Sequence, residues 1–123
     1  MHRGPLSIVN AFLDLTNNKR DIAGALALMA GDVHFVGPAM ETRGTAAYGQ
    51  VLEKFLPVHT GWKKLAEFEN GSEVCVIDEI YLAAPAGGTV TLKIAEWFTV
   101  RDARITRQVI YYDPREFLQA FGM

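Results

Sequence analysis

The sequence predicts an α+β fold: three helices in the N-terminal half pack on a curved antiparallel sheet, and a short C-terminal helix follows. Three observations predict it. Apolar residues recur at three- and four-residue steps as far as Phe55, and from Gly61 the period changes to two. Asn70-Gly71 separates two alternating runs, a strong hairpin signal because both central positions of a type I′ turn need positive φ. The chain has 123 residues, of which 50% are apolar and 21% charged, the size and balance of one globular domain spanning residues 1–123.

Pro5 opens the first helix, because its missing N–H costs nothing in a first turn. Leu6, Val9, Phe12, Leu13 and Thr16 then share one face, and Asn17-Asn18 end it. Asp21 is a good N-cap for a second helix carrying Ile22, Ala25, Leu26 and Met29, with Gly31 as its left-handed stop. An extended piece, Val33 to Val36, leads into Gly37-Pro38. The third helix begins near Gly44 or Thr45, buries Tyr48, Val51, Leu52 and Phe55, and ends before Pro57. Four strands are expected over Trp62–Glu69, Glu73–Ala84, Thr89–Arg101 and Arg104–Tyr112, joined as a meander. Strands of this length twist and curl, leaving a concave face for helices and any ligand. Asp113-Pro114-Arg115-Glu116 supplies an N-cap acceptor, a Pro at N1 and a Glu at N3 for the last helix, so capping accounts for Asp113 without a catalytic role.

Composition excludes several function classes. Twelve basic and fourteen acidic residues give a net charge of −2 with no Lys/Arg run, so no nucleic-acid or anionic-membrane partner is expected. Cys75 is the one cysteine, which removes intramolecular disulfides and thiolate zinc clusters. His2, His34 and His59 lack ligand spacing, and neither a metal nor an organic cofactor is expected. The apolar run after Gly4 is broken by Asn10 and Asp14 before a signal peptide can form, and no stretch approaches the roughly 18 apolar residues of a span. A cytoplasmic protein is the expectation.

The 89–101 strand carries the informative anomaly. Val90, Leu92, Ile94, Glu96, Phe98 and Val100 share a face, so Glu96 is drawn inside with five apolar neighbours. An ionised carboxylate is costly to bury, so Glu96 must find a partner or hold its proton to higher pH, which is how a general acid or base near neutrality is made. On the preceding strand alternation leaves both faces open. Cys75, Ile77, Glu79 and Tyr81 form one set; Val76, Asp78, Ile80 and Leu82 form the other, which is more apolar with Asp78 as its exception. With the first set inward, Glu79 falls within diagonal reach of Glu96. On the last strand, Gln108, Ile110 and Tyr112 oppose Arg107, Val109 and Tyr111, and a bulge at the 102–103 turn decides which joins Glu96.

The chain resembles the SnoaL-like branch of the nuclear transport factor 2-like superfamily over nearly its whole length. The shared features are Ala30-Gly31-Asp32-Val33, Gly37-Pro38, Thr42-Arg43-Gly44, Glu96-Trp97-Phe98-Thr99-Val100-Arg101-Asp102 and Tyr111-Tyr112-Asp113-Pro114-Arg115-Glu116-Phe117. The resemblance implies a cone-shaped curved sheet closed by helices, a deep apolar pocket and homodimers. The family includes polyketide cyclases, an epoxide hydrolase, ketosteroid isomerase and non-catalytic binders. At the three ketosteroid isomerase positions this sequence has Phe12, Gly37 and Glu96, keeping only the carboxylic acid donor. At the epoxide hydrolase positions Glu79 matches one catalytic carboxylate, while Ile77, Ile110, Phe35 and Gly37 replace the Arg, the second carboxylate, the Tyr and the Asn. The same alignment implies that Ile77, Glu79, Gln108, Ile110 and Tyr112 point inward beside Glu96, and with that a bulged turn.

Two functional expectations follow. One is an enzyme of isomerase, cyclase or hydratase type acting on an apolar, oxygenated small molecule. Glu96 would be its acid or base, Glu79 its partner, and Tyr112 and Gln108 donors to the substrate. Phe12, Phe35, Tyr48, Phe55, Trp62, Ile77 and Ile110 would line the pocket, and a buried Tyr112 hydroxyl would seek Glu96. The other is a ligand-binding module without chemistry. In both, Trp97, Val109 and Tyr111 on the outer face form a homodimer interface.

Overall fold

The structure, a computed structural model, describes residues 4–123; His2 lies outside them. Helix α1 (Pro5–Asn17) starts at Pro5 as expected and buries Ile8, Val9, Phe12, Leu13 and Thr16. Helix α2 (Ile22–Leu26) is a short helix capped by Asp21, whose carboxylate accepts from Gly24 N at 2.9 Å. The expected run to Met29 and the Gly31 stop do not form. Met29 to Gly31 instead open strand β1 (Met29–Val36), where Met29 pairs with Ile105 and both side chains are buried. A helix this short has little cooperativity of its own, so the sheet partner wins those residues. Strand β2 (Glu41–Arg43) folds back on β1, and Gly44, at φ +89°, turns the chain into helix α3 (Thr45–Phe55). A left-handed backbone of this kind strains any residue with a Cβ, which is why a glycine stands there.

Strands β3 (His59–Asn70), β4 (Glu73–Ala83), β5 (Thr89–Arg101) and β6 (Arg104–Tyr111) form the expected meander. The sheet is wider than four strands. Its order is β2-β1-β6-β5-β4-β3, antiparallel except where β1 runs parallel to β6, and it does not close. An isolated meander would leave the β6 edge exposed; β1 and β2 cover it. The β5–β6 register shifts between Thr99 and Val100, ahead of a turn in which Asp102 and Ala103 both have positive φ. That irregularity sets Ile110 opposite Glu96 and Gln108 opposite Phe98.

Two apolar clusters fill the concave side. Phe12, Phe98, Met29, Val33, Val76 and Ile105 anchor one beneath α1 and α3, with the Phe12 and Phe98 rings edge-to-face at 5.9 Å. Ile80, Leu82, Val90, Leu92 and Ile94 make the other, covered by Phe117 of helix α4 (Arg115–Ala120) and by Phe121 just after it. Asp113 accepts from Arg115 N at 3.1 Å, so its capping role holds, though Pro114 occupies the N-cap position. The same Asp113 is also gripped by the Arg115 guanidinium, which holds its carboxyl down at about 2. Among the described residues no helix is long and apolar enough to cross a membrane.

Candidate functional site

Between the two clusters lies a pocket of about 120 Å³. Helices α1 and α3 supply Phe12, Tyr48, Leu52 and Phe55; β1 supplies Phe35; β4 and β5 supply Ile80, Leu82, Leu92 and Ile94; and Phe117 of α4 closes one side. Gly37 keeps the β1–β2 loop close to the sheet, where a Cβ would meet Ile110 Cγ1 at 3.1 Å. Beside these walls β5 and β6 contribute Glu96, Gln108 and Ile110, Tyr112 follows β6, and Glu96 is the one carboxyl among the lining residues.

Alternation along β5 carries Glu96 inward, as expected, and it is 5% exposed. Gln108 Nε2 donates to its Oε1 at 2.9 Å, and Gln108 Oε1 in turn accepts from the Tyr48 hydroxyl at 2.7 Å. A buried polar chain therefore runs from α3 through β6 to β5. Burial pushes the Glu96 carboxyl well above the ordinary carboxylate range; contact with Asp78 pushes it further, and Gln108 opposes both. Burial and the neighbouring Glu96 charge likewise raise the Tyr48 hydroxyl, which stays neutral and donates.

Comparison with known proteins agrees with this architecture. The family model of the SnoaL-like domain matches residues 9–108. The chain belongs to the SnoaL-like family. Solved structures of similar shape share the nuclear transport factor 2-like fold. One is an NTF2-like protein from Burkholderia pseudomallei K96243, 17% identical, with TM-score 0.86 over 99% of this chain and 100% of that one. A second is TerC co-crystallized with polyporic acid, 24% identical, with TM-score 0.83 over 97% and 98%. A candidate polyketide cyclase from Pseudomonas putida KT2440 is 20% identical, with TM-score 0.81 over 98% and 99%. No curated protein matches the chain.

Within this SnoaL-like fold the structure corrects several expected site residues. Strand β4 buries Val74, Val76, Asp78, Ile80 and Leu82, so Ile77 and Glu79 face away from the pocket. A one-residue difference in strand alignment flips every side chain to the other face, and the alignment implied by resemblance is off by that step. Glu79 is half-buried on the outer face, where it accepts from the Tyr81 hydroxyl at 3.0 Å and stands in register between Lys63 and Lys93. Ile77 sits between Ala66 and Ala95. Trp62 is not among the pocket-lining residues: its indole Nε1 donates to Asn18 Oδ1 at 3.1 Å, and its ring packs against both apolar clusters from β3. Phe12, Phe35, Tyr48, Phe55, Gln108, Ile110 and Tyr112 do line it. Tyr112 makes no hydrogen bond to Glu96; its ring stands edge-to-face with Phe117 at 6.2 Å. On the outer face Trp97 and Tyr111 are exposed, whereas Val109 is buried between Trp97 and Val36 in the register and offers no interface surface of its own.

Asp78 takes the place expected of Glu79. It is fully buried, one diagonal step from Glu96 across the β4–β5 ladder, and its nearness raises the Glu96 carboxyl. Neither oxygen of Asp78, nor Oε2 of Glu96, receives a hydrogen bond from any other side chain or backbone group. The apolar character of the Val76–Leu82 set was the available signal. The Tyr48–Gln108 link joins residues 60 positions apart and left none. No group of three or more His, Cys, Asp or Glu among the described residues is placed to hold a metal ion.

Proposed function

We propose that this SnoaL-like protein is a small-molecule enzyme that uses Glu96 for acid/base proton transfer on an apolar, oxygenated substrate, in a reaction of isomerase, cyclase or hydratase type. The observation that carries the reading is a single lining carboxyl, raised well above its ordinary range, in a pocket otherwise walled mainly by aromatic and aliphatic side chains. Such a group holds its proton above the ordinary carboxylate range and can pass it to a carbonyl or epoxide oxygen. Gln108 and Tyr112 stand beside it as donors to the substrate. An apolar cavity of roughly 150 Å³ accepts benzene; at about 120 Å³ the pocket suits a ligand of one ring or a short chain.

Turnover on a panel of single-ring and short-chain ketones, epoxides and lactones tests the reading. Glu96→Gln should lower turnover by about a hundredfold or more, the usual contribution of a positioned acid or base. Tight binding across the panel with no turnover would instead favour a ligand-binding module. One feature favours that second reading: Gln108 and Asp78 already engage Glu96 from within the protein. In either case Trp97, Tyr111 and the nearby Phe68 would be covered by a second copy of the chain, which sedimentation of wild type and Trp97→Lys would test.

A further inference from the structure

We infer that Asp78 and Glu96 share one proton across the β4–β5 pair, with Asp78 as the positioning residue that keeps Glu96 in its acid form. The inference rests on the reading of Glu96 as the acid/base group of the pocket and names the partner that poises it. Asp78 is fully buried and is not among the pocket-lining residues, so it acts behind Glu96 and does not touch the substrate.

The geometry leaves three carboxyl oxygens, both of Asp78 and Oε2 of Glu96, buried without a donor. As two carboxylates they would place like charges side by side in an apolar interior with nothing to offset them. The cation in register with the pair is Lys64 of β3, opposite Asp78, and its Nζ is engaged by Asn10 Oδ1 at 2.9 Å and Glu67 Oε2 at 2.8 Å. At the pocket α1 presents Phe12, α3 the neutral Tyr48, β6 Gln108, the residue after it Tyr112, and α4 Phe117. The nearby Cys75 thiol on β4 is raised by burial and is neutral as well. A single proton converts one of the three acceptors into a donor to a second, and so relieves both the repulsion and most of the missing hydrogen bonding. The contact raises Glu96 but lowers Asp78, which places the proton on Glu96 and leaves Asp78 as the acceptor. Gln108 already donates to Glu96 Oε1, and Oε2 has no other partner, so Oε2 is the oxygen left to carry the acid proton.

This arrangement favours one subset of the proposed chemistry. A proton passed from Glu96 to a substrate oxygen leaves two carboxylates in contact, and the pair then takes a proton back from the substrate. Proton out and proton back balance without an external base, which is the stoichiometry of an isomerisation.

Carbon-detected NMR of side-chain carboxyls, followed from roughly pH 4 to 9 in ligand-free protein, tests the pair directly. In wild type, Glu96 should stay protonated well past the ordinary carboxylate range while Asp78 titrates separately and lower. In Asp78→Asn, the Glu96 midpoint should fall by at least about one pH unit. Should that variant fail to fold, Glu96→Leu read at Asp78 replaces it, and the Asp78 midpoint should rise because Leu leaves the buried carboxylate without its donor. A Glu96 midpoint unmoved in Asp78→Asn, or an Asp78 midpoint unmoved in Glu96→Leu, would overturn the inference and leave burial as the sole cause. Because no substrate is present, a failed turnover panel leaves this result standing, and a failed titration leaves the enzymatic reading standing.

Discussion

Removing one hydroxyl from the buried chain should cost far more than removing a second hydroxyl a short distance away. In Tyr48→Phe, Gln108 Oε1 loses its 2.7 Å donor while remaining buried. An orphaned buried acceptor costs about 1–3 kcal/mol, which is about a 5- to 150-fold shift towards the unfolded state. Tyr112 lines the same pocket, but its hydroxyl bonds no other side chain and its ring is only half-buried. Tyr112→Phe should therefore stay within about 0.5 kcal/mol of wild type. Urea denaturation of the three proteins near neutral pH gives both numbers. The m-value should be common to all, because the surface exposed on unfolding barely changes. Equal midpoints for Tyr48→Phe and Tyr112→Phe would refute the reasoning, since they would mean that the Tyr48–Gln108–Glu96 chain contributes nothing to stability.

Other expectations are more local. Glu79→Gln alters an outer-face carboxylate whose partner is Tyr81, so stability should move by less than about 1 kcal/mol and any turnover lost in Glu96→Gln should persist, as parallel assays would show. His59 is buried against Phe55 with neither ring nitrogen bonded, and burial together with the nearby Arg20 lowers its pKa below the ordinary 6.5. Below pH 6.5 the unfolded chain takes up a proton that folded His59 refuses, so stability should fall as pH drops from 6.5 towards the folded value. In His59→Leu that loss should vanish from the denaturation midpoints, and a loss as steep as in wild type would assign it elsewhere.

The sequence made the site's central residue legible and hid its partner. Glu96 stood out because alternation along a long, strongly apolar strand leaves one face for the core, and period-two reasoning is most reliable there. On β4 the same reasoning leaves both faces open: the Val76, Asp78, Ile80 and Leu82 set is the more apolar but carries the charged Asp78, and the family resemblance points to Glu79. Low identity fixes the fold while leaving single-residue strand register open, and one residue is enough to exchange Asp78 for Glu79. The helix whose length the sequence overstates is the shortest, α2. α2 stops at Leu26 because Met29 gains a sheet partner in Ile105, a contact 76 residues away in sequence that no local pattern reports. The parallel β1–β6 pairing and the Tyr48–Gln108 bond are non-local in the same way.

The most direct test of the central claim, that Glu96 is a buried acid in the pocket, is the denaturant stability of wild type and Glu96→Gln across roughly pH 4 to 8. A folded pKa raised above the unfolded value of about 4.3 means that the folded protein binds the extra proton. Wild type should then lose stability relative to Glu96→Gln by about 1.4 kcal/mol per pH unit above that point, levelling off once the folded value is passed. Taking the difference between the two proteins cancels the opposite trend of His59. If Glu96→Gln is instead destabilised chiefly above pH 5, the carboxylate is ionised and paired in the folded protein, and the account of the pocket as an acid site is contradicted.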